Sequence, residues 1–234
     1  MSREIRGKST FKFHQDEYPV NGEGTKYWNR TAIGYDGGID HIFGNNMRLI
    51  ILNKLQKEQQ LGRTVEFGCG TGFFTLVLAQ LSESVSATDI SEKMLELTRE
   101  KIKGVSNIEV EYQNCEKTSF PPASFDTAFL GLVFQFANGP VTVAEMHRIL
   151  KPGGKFILAI PTMEGLSLSD KLRGLLRHYR TFGGFRAPGS RLYTHQSLPP
   201  VIAQGGFRIL DIEQLTDPTR PGGFSGLYVR AEKI

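Results

Sequence analysis

The feature that most constrains this chain is Val65-Glu66-Phe67-Gly68-Cys69-Gly70-Thr71-Gly72, a short apolar run that ends in three alternating glycines. Thr64 to Gly68 reads as a strand, and Phe73 to Leu81 as the helix that follows it. Glycines at 68, 70 and 72 permit positive φ and let a ligand approach the backbone closely. At the first strand-to-helix crossover of an open sheet, ligands bind beyond the carboxyl ends of the strands. A plain structural turn is the competing reading of the glycines alone.

The rest of the chain repeats the strand–helix alternation. Val85 to Asp89 is a second strand, and Ser91 caps a helix marked by Met94, Leu95, Leu97 and Ile102. Ile108 to Tyr112, Phe125 to Gly131 and Lys155 to Ile160 are further strands. A helix from Val141 to Leu150 stops at Lys151-Pro152-Gly153-Gly154. Such alternation builds a mostly parallel sheet. The last two strands, Phe207 to Gln214 and Phe224 to Ala231, are joined by the turn-rich Asp217 to Gly223, which is too short for a parallel crossover. The expected fold is therefore α/β: a doubly wound, mostly parallel seven-stranded sheet with an antiparallel C-terminal hairpin.

Asp89 ends the second strand about 20 residues beyond the glycines, where a carboxylate can accept hydrogen bonds from both hydroxyls of a ribose. A simple helix cap is the alternative. A nicotinamide or flavin fingerprint would carry GxGxxG, and its third glycine falls on Phe73 here, which argues against a nicotinamide-dependent oxidoreductase.

The G-x-G-x-G after Glu66 resembles motif I of the class I S-adenosylmethionine-dependent methyltransferases. Later segments are similar to that family in the same order. Ala87-Thr88-Asp89-Ile90-Ser91 matches its second strand. Gln113-Asn114-Cys115-Glu116, followed by Phe120-Pro121-Pro122-Ala123-Ser124-Phe125-Asp126, matches its adenine-reading stretch. Ile149-Leu150-Lys151-Pro152-Gly153-Gly154 matches its turn before strand five. The matches span Thr64 to Pro161.

The resemblance implies a Rossmann-like methyltransferase fold with S-adenosylmethionine as cofactor and S-adenosylhomocysteine as product. It implies that the glycine loop wraps the methionine half, with Glu66 meeting its amino group directly or through water. It implies that Asp89 holds the ribose, Asn114 reads the adenine amino group, and the backbone near Cys115 meets a ring nitrogen. Asn114 stands where the family usually has Asp, and an amide oxygen still accepts a hydrogen bond. Cys115 replaces a small alanine, and a reactive thiol is the lesser reading of it. The cofactor wall implied in this way comprises Glu66, Gly68, Cys69, Gly70, Asp89, Ile90, Asn114, Cys115, Glu116 and Leu130.

Tyr27-Trp28-Asn29-Arg30-Thr31-Ala32, followed by Tyr35-Asp36, resembles the opening of many small-molecule members. That likeness adds Tyr27 and Arg30 to the cofactor site, Arg30 as a bidentate fork on the carboxylate, and it turns Tyr35 toward the sulfonium. Packing of Tyr27, Trp28 and Tyr35 along one side of an N-terminal helix is an equal alternative. The family implies one domain over 1–234: an N-terminal helical cap over 1–60, a cofactor-binding core over 64–161, a lid or substrate insertion over 162–206 and the hairpin over 207–234.

The implied reaction is in-line transfer of a methyl group to a small-molecule acceptor, for which the protein supplies positioning and desolvation. No catalytic residue is common to the family. Tyr35, His41, Gln135 and His195 are the candidates near the expected pocket: His41 sits in the cap, His195 at a helix start, and Gln135 cannot act as a base at neutral pH. Two alternatives stay open. One is a lipoquinone-type C-methyltransferase, whose opening sequence Tyr35-Asp36 with Phe43-Gly44 resembles. The other is a cofactor-binding sensor or partner subunit without transferase activity.

Charge narrows the partners. Lys171, Arg173, Arg177, Arg180, Arg186 and Arg191 fall in one stretch without an acid, and taking them from the 28 bases leaves 22 against 24 acids. In the same stretch Leu168, Leu172, Leu175, Leu176 and Tyr179 fall on one face of an expected amphipathic helix, and the Gly-rich Thr181 to Ser190 is expected to be a mobile loop. An anionic substrate, an anionic membrane surface and simple solvation compete as readings of the bases. Nucleic acid is not expected, because the basic cluster is short and Leu130-Gly131-Leu132-Val133 stands where amino-group nucleic-acid methyltransferases carry an Asn-Pro-Pro-Tyr-like motif. Hydrophobic residues at 39% and charged residues at 22% fit a packed core. Met1 to His14 is polar and basic, and no apolar run approaches the roughly 20 residues of a membrane span, so the expected location is the cytoplasm. Cys69 and Cys115 form no CxxC or Cys/His cluster, so neither a metal nor a disulfide is expected.

Overall fold

A computed structural model gives the fold over residues 23–43, 46–182, 189–217 and 225–234. Met1 to His14, residue 44 and most of the Thr181–Ser190 and Asp217–Gly223 stretches lie outside these described residues.

Three helices come first: α1 (Glu23–Thr31), α2 (Tyr35–Phe43) and α3 (Asn46–Leu55). The alternating body follows as β1 (Arg63–Phe67), α4 (Thr75–Leu81), β2 (Ser84–Asp89), α5 (Glu92–Lys101), β3 (Ile108–Tyr112), β4 (Phe125–Gly131), α6 (Gly139–Ile149) and β5 (Leu150–Pro161). The chain closes with α7 (Leu168–Phe182), α8 (Leu198–Gln204), β6 (Phe207–Thr216) and β7 (Ser225–Lys233). The sheet order is β3-β2-β1-β4-β5-β7-β6. β1 to β5 pair in parallel, and β7 pairs antiparallel with both β5 and β6. The expected architecture is the one observed.

Strand alternation feeds two cores. Along β5, Phe156, Leu158 and Ile160 pack with Phe134 of the turn after β4 and with α6 and α8 through Met146 and Ile202, while Ile157 and Ala159 pack on the other face with Met47, Ile51 and Leu78. A strand buried on both faces must be apolar at nearly every position, which is why these runs read as continuous. Each fully buried Phe or Leu contributes on the order of 1.5–3 kcal/mol.

Local chemistry sets the helix ends. The Ser91 hydroxyl accepts from the Met94 N–H (3.2 Å), with Glu92 in the first turn of α5 and Arg99 and Lys101 in its last, each complementing the helix dipole. Asn138 caps α6 in the same way.

Two expectations change in detail. The Lys151–Gly154 turn is not a loop ahead of strand five. The β4–β5 register jumps between Phe125↔Leu150 and Thr127↔Lys155, so the segment bulges within β5. Helix α8 begins at Leu198, so His195, expected at a helix start, lies ahead of it; the Thr194 hydroxyl accepts from the Ser197 N–H (3.0 Å) on the approach.

Candidate active site

Strand order reverses between β1 and β4, the position where open α/β sheets form a crevice. A cleft of ≈ 160 Å³ opens there. Four strand ends build one side of it: Gly68 to Thr71 after β1, Asp89 and Ile90 at β2, Gln113 to Glu116 after β3, and Gly131 to Val133 after β4. Gly24 and Trp28 of α1, Tyr35 and Ile39 of α2, and Arg48 of α3 close the other side.

The loop after β1 is shaped by its glycines. Gly68 and Gly70 hold φ of 67° and 57°, the left-handed region that an L side chain resists. The Cys69 N–H donates to the Thr88 carbonyl (2.9 Å), which carries the ladder past the strand end. A Cβ on Gly70 would stand 3.9 Å from the Tyr35 ring, so the missing side chain leaves the space between loop and cap open.

Asp89 is buried at the cleft. Its Oδ2 accepts from the Gly70 N–H (3.0 Å) and its Oδ1 from the Ser91 N–H (2.9 Å). Each oxygen retains a lone pair for a ligand hydroxyl. Burial pushes its carboxyl up to about 6, against the pull of these backbone donors.

Glu66 is 1% exposed and does not line the cleft. Strand alternation sends it to the α4 face, where the Thr75 hydroxyl donates to Oε2 (2.6 Å). Burial, opposed by that hydrogen bond and reinforced by the Asp89 charge, pushes its carboxyl up to about 7. The folded protein therefore binds more protons than the unfolded chain between the ordinary 4.5 and about 7, and stability falls as pH rises through that window. Glu66→Gln is expected to flatten this dependence by up to about 3 kcal/mol, read from denaturant unfolding at pH ~5 and ~8. Equal slopes in both proteins would contradict the assignment.

One part of the site has no motif in the sequence. Arg48, buried in α3, forks onto Asp40 through Nε (3.1 Å) and Nη2 (2.8 Å), and its Nη1 donates to Asp36 Oδ1 (2.5 Å). The same Asp36 oxygen accepts from the Thr71 hydroxyl (2.8 Å), so the network ties α2 and α3 to the glycine loop. The guanidinium also lies 4.3 Å from the centre of the Phe73 ring. Across the cleft, Asn29 Oδ1 accepts from the Ser91 hydroxyl (2.7 Å) and joins α1 to α5.

Trp28 packs edge-on against Phe136 (4.9 Å) and Tyr35 (6.1 Å). These rings pack together, as the packing reading expects, and Trp28, Tyr35 and Phe136 also wall the cleft. Burial, first among several causes, holds the Tyr35 phenol well above its ordinary value.

Of the residues expected at the cofactor, Gly68, Cys69, Gly70, Asp89, Ile90, Asn114, Cys115 and Glu116 line the cleft together. Tyr27, Arg30, Glu66 and Leu130 do not. Arg30 is exposed on α1, its guanidinium 5.9 Å from the centre of the Tyr27 ring, and Leu130 is buried in the core beneath Gly131. Among the catalytic candidates only Tyr35 lines the cleft. His41 is exposed. His195 Nδ1 pairs with Glu164 (3.0 Å). The Gln135 amide donates to the Leu132 carbonyl (2.7 Å), clamping a residue held at a φ of 63°. Its part is to fix the turn after β4. The Cys115 thiol is pushed up to about 12 by burial and stays protonated, which speaks against a reactive thiolate.

A glycine-lined cleft at the switch point of a sheet with an inserted antiparallel strand defines a class of cofactor-binding α/β enzymes. Residues 65–158 match the family described as a methyltransferase domain. The chain is 33% identical over 177 residues to the demethylmenaquinone methyltransferase of Staphylococcus aureus, covering 72% of this chain and 70% of that one. It superposes on an S-adenosylmethionine-dependent methyltransferase from Aquifex aeolicus with TM-score 0.63 at 17% identity, over 88% of this chain and 98% of the other. For phosphoethanolamine N-methyltransferase 2 of Haemonchus contortus, in complex with S-adenosylhomocysteine, the TM-score is 0.67 at 18% identity, over 90% of this chain and 60% of that one.

This chain belongs to the class I S-adenosylmethionine-dependent methyltransferases. It is an enzyme that transfers a methyl group from S-adenosylmethionine to a small-molecule acceptor by in-line displacement. The cleft suits that cofactor: a side-chain-free cradle at Gly70, a buried carboxylate at Asp89 with free lone pairs, and the amide of Asn114 on the next strand end. Among the described residues, no helix is long and apolar enough to cross a membrane.

Proposed function

We propose that the acceptor is a lipophilic aromatic molecule of the quinol type, methylated at a ring carbon. The apolar wall of the cleft carries this reading: Trp28, Tyr35, Ile39, Leu132, Val133 and Phe136 all line it. The name of the Staphylococcus aureus relative supports it. The described residues lining the cleft include no His or Lys, which suits an electron-rich carbon better than an amine that must first be deprotonated.

When bound, the cofactor supplies an electrophilic methyl on its sulfonium. Gly68, Gly70, Asp89, Ile90, Asn114, Cys115 and Glu116 bind and orient it. Arg48, which stands at the cleft where Arg30 does not, is ion-paired with Asp36 and Asp40 and holds the cap against the glycine loop. The aromatic wall excludes water and holds the acceptor ring flat. The Tyr35 phenol keeps its proton and donates to an acceptor oxygen rather than serving as base. The ring carbon that gains the methyl releases its proton to solvent at the open mouth of the cleft, beyond the aromatic wall, which restores aromaticity.

Residues 162–206 form the substrate-side insertion in this reading. An acceptor of this kind lives in a lipid phase, so the enzyme works from the cytoplasm at a membrane surface. Its two thiols, both free, suit that compartment.

The test offers a short-chain naphthoquinol, an amine and a thiol in parallel with labelled cofactor. Label on a quinol ring carbon is expected, with Trp28→Ala and Phe136→Ala each raising KM about tenfold at unchanged cofactor Kd, as loss of a buried aromatic contact implies. Methylation of the amine or thiol with the quinol untouched would overturn the reading.

A further inference from the structure

A surface helix ordinarily turns its apolar stripe toward the core. Helix α7 does the reverse. Leu168, Leu172 and Leu176 recur every four residues on one face and are 85%, 59% and 40% exposed. Tyr179 continues the face and is exposed as well. The half-buried side carries Asp170, Gly174, Arg177, His178 and Thr181, with Lys171 and Leu175 at the boundary. The helix thus rests on the protein through polar and small residues and presents leucines to the outside.

Its position gives that face a use. α7 packs against α2, the helix that brings Tyr35 and Ile39 to the cleft. The leucine stripe runs about 12 Å along the helix, too little to span a bilayer and enough to enter its surface.

Charge identifies the occupant. Lys171, Arg173 and Arg180 flank the leucines, and the single acid of α7, Asp170, is ion-paired with Arg173. A second copy of this chain would bring like charge against like. An anionic headgroup layer complements the bases, while its acyl boundary accepts the leucines.

We propose that this face of α7 docks on an anionic lipid bilayer and sets the cap helix α2 and its cleft beside the membrane. Its service as a gateway for acceptor rests on the lipophilic-acceptor reading. The docking stands on α7 alone.

The test is co-sedimentation of the full chain with vesicles of phosphatidylcholine alone or mixed with phosphatidylglycerol, alongside sedimentation velocity without lipid. Binding to the mixed vesicles is expected, weakened by salt, and reduced at least about tenfold in Leu168→Ser/Leu172→Ser/Leu176→Ser, since apolar burial and basic attraction act together. Arg180→Glu is expected to weaken binding to the mixed vesicles alone. Thermal unfolding and methylation of a short-chain soluble acceptor are expected to be unchanged in each variant, which separates docking from folding and from acceptor choice. A chain that stays in the supernatant with mixed vesicles overturns the proposal. So does equal binding by the triple variant, or a dimer that the triple variant converts to monomer. If the quinol is refused while vesicle binding persists, the acceptor reading fails and the docking face stands.

Discussion

Asp89→Ala is expected to weaken binding of S-adenosylmethionine and S-adenosylhomocysteine by at least about tenfold, the order of cost of losing a pair of charge-assisted hydrogen bonds. The carboxylate acts twice. It accepts from the Gly70 and Ser91 N–H groups, fixing the glycine loop against β2, and each of its oxygens keeps capacity for a ribose hydroxyl. Alanine removes both functions and leaves two backbone donors to find water. Asp89→Asn keeps one accepting oxygen and is expected to fall between the two. Calorimetric titration on variants with native circular dichroism reads the effect. Unchanged affinity in the folded Ala variant would remove Asp89 from the site.

Gly68→Ala is expected to be the most damaging single-methyl change in the loop. At a φ of 67°, an L side chain costs about 1–2 kcal/mol. The new Cβ would also stand 2.3 Å from Val133 Cγ2 and 2.9 Å from Val133 Cβ, on the turn that Gln135 clamps through Leu132. Neither segment can yield without shifting the cleft, so a loss on the order of 2–4 kcal/mol in unfolding free energy is expected. Cofactor affinity should fall with it. Gly37→Ala is the control: this glycine lies within α2, and a Cβ there meets nothing within 4 Å. Alanine in that helix is expected to stabilise by about 0.5–1 kcal/mol. Equal stability of the two variants would show that the Gly68 conformation carries no constraint.

Together these variants separate two properties of the loop, its shape and its charge complement. Gly68→Ala alters the path of the backbone while Asp89 remains. Asp89→Ala removes the carboxylate while the glycines remain. A protein that loses affinity in the second and retains it in the first would hold its cofactor by charge alone.

Much of this was legible in the sequence because it is local. Three glycines spaced two apart, an aspartate at the end of the next strand and an asparagine after the third are each set by a few neighbouring residues. Their side chains converge because parallel strands place their carboxyl ends at one edge of the sheet. The hairpin of β6 and β7 followed from connection length in the same way.

What sequence reasoning missed lies in contacts between distant segments. Arg48 meets Asp36 and Asp40 across a helix–helix junction, and Asp36 meets Thr71 across 35 positions. No periodicity marks such a pair. A signal was available in retrospect: two acids and an arginine in helices expected to cap the cleft. Arg30 was drawn into the site by its motif, and the fold of α1 turned it to solvent. Glu66 sits within the best motif of the chain, yet the two-residue alternation of β1 sent it behind the sheet edge to Thr75. Its raised carboxyl follows from that burial and from nothing local.

The sequence by itself determined the succession of strands and helices, the glycine loop, the aspartate that ends the second strand and the existence of an amphipathic helix over 168–182, because backbone conformation and side-chain period are local properties. Only the tertiary structure decided which arginine stands at the cleft, which aromatic rings form its wall and which way α7 faces. Spacing defines a stripe on a helix, but the rotation of that helix about its own axis is set by the surface it packs against. Here that surface took the polar side and left the leucines outward.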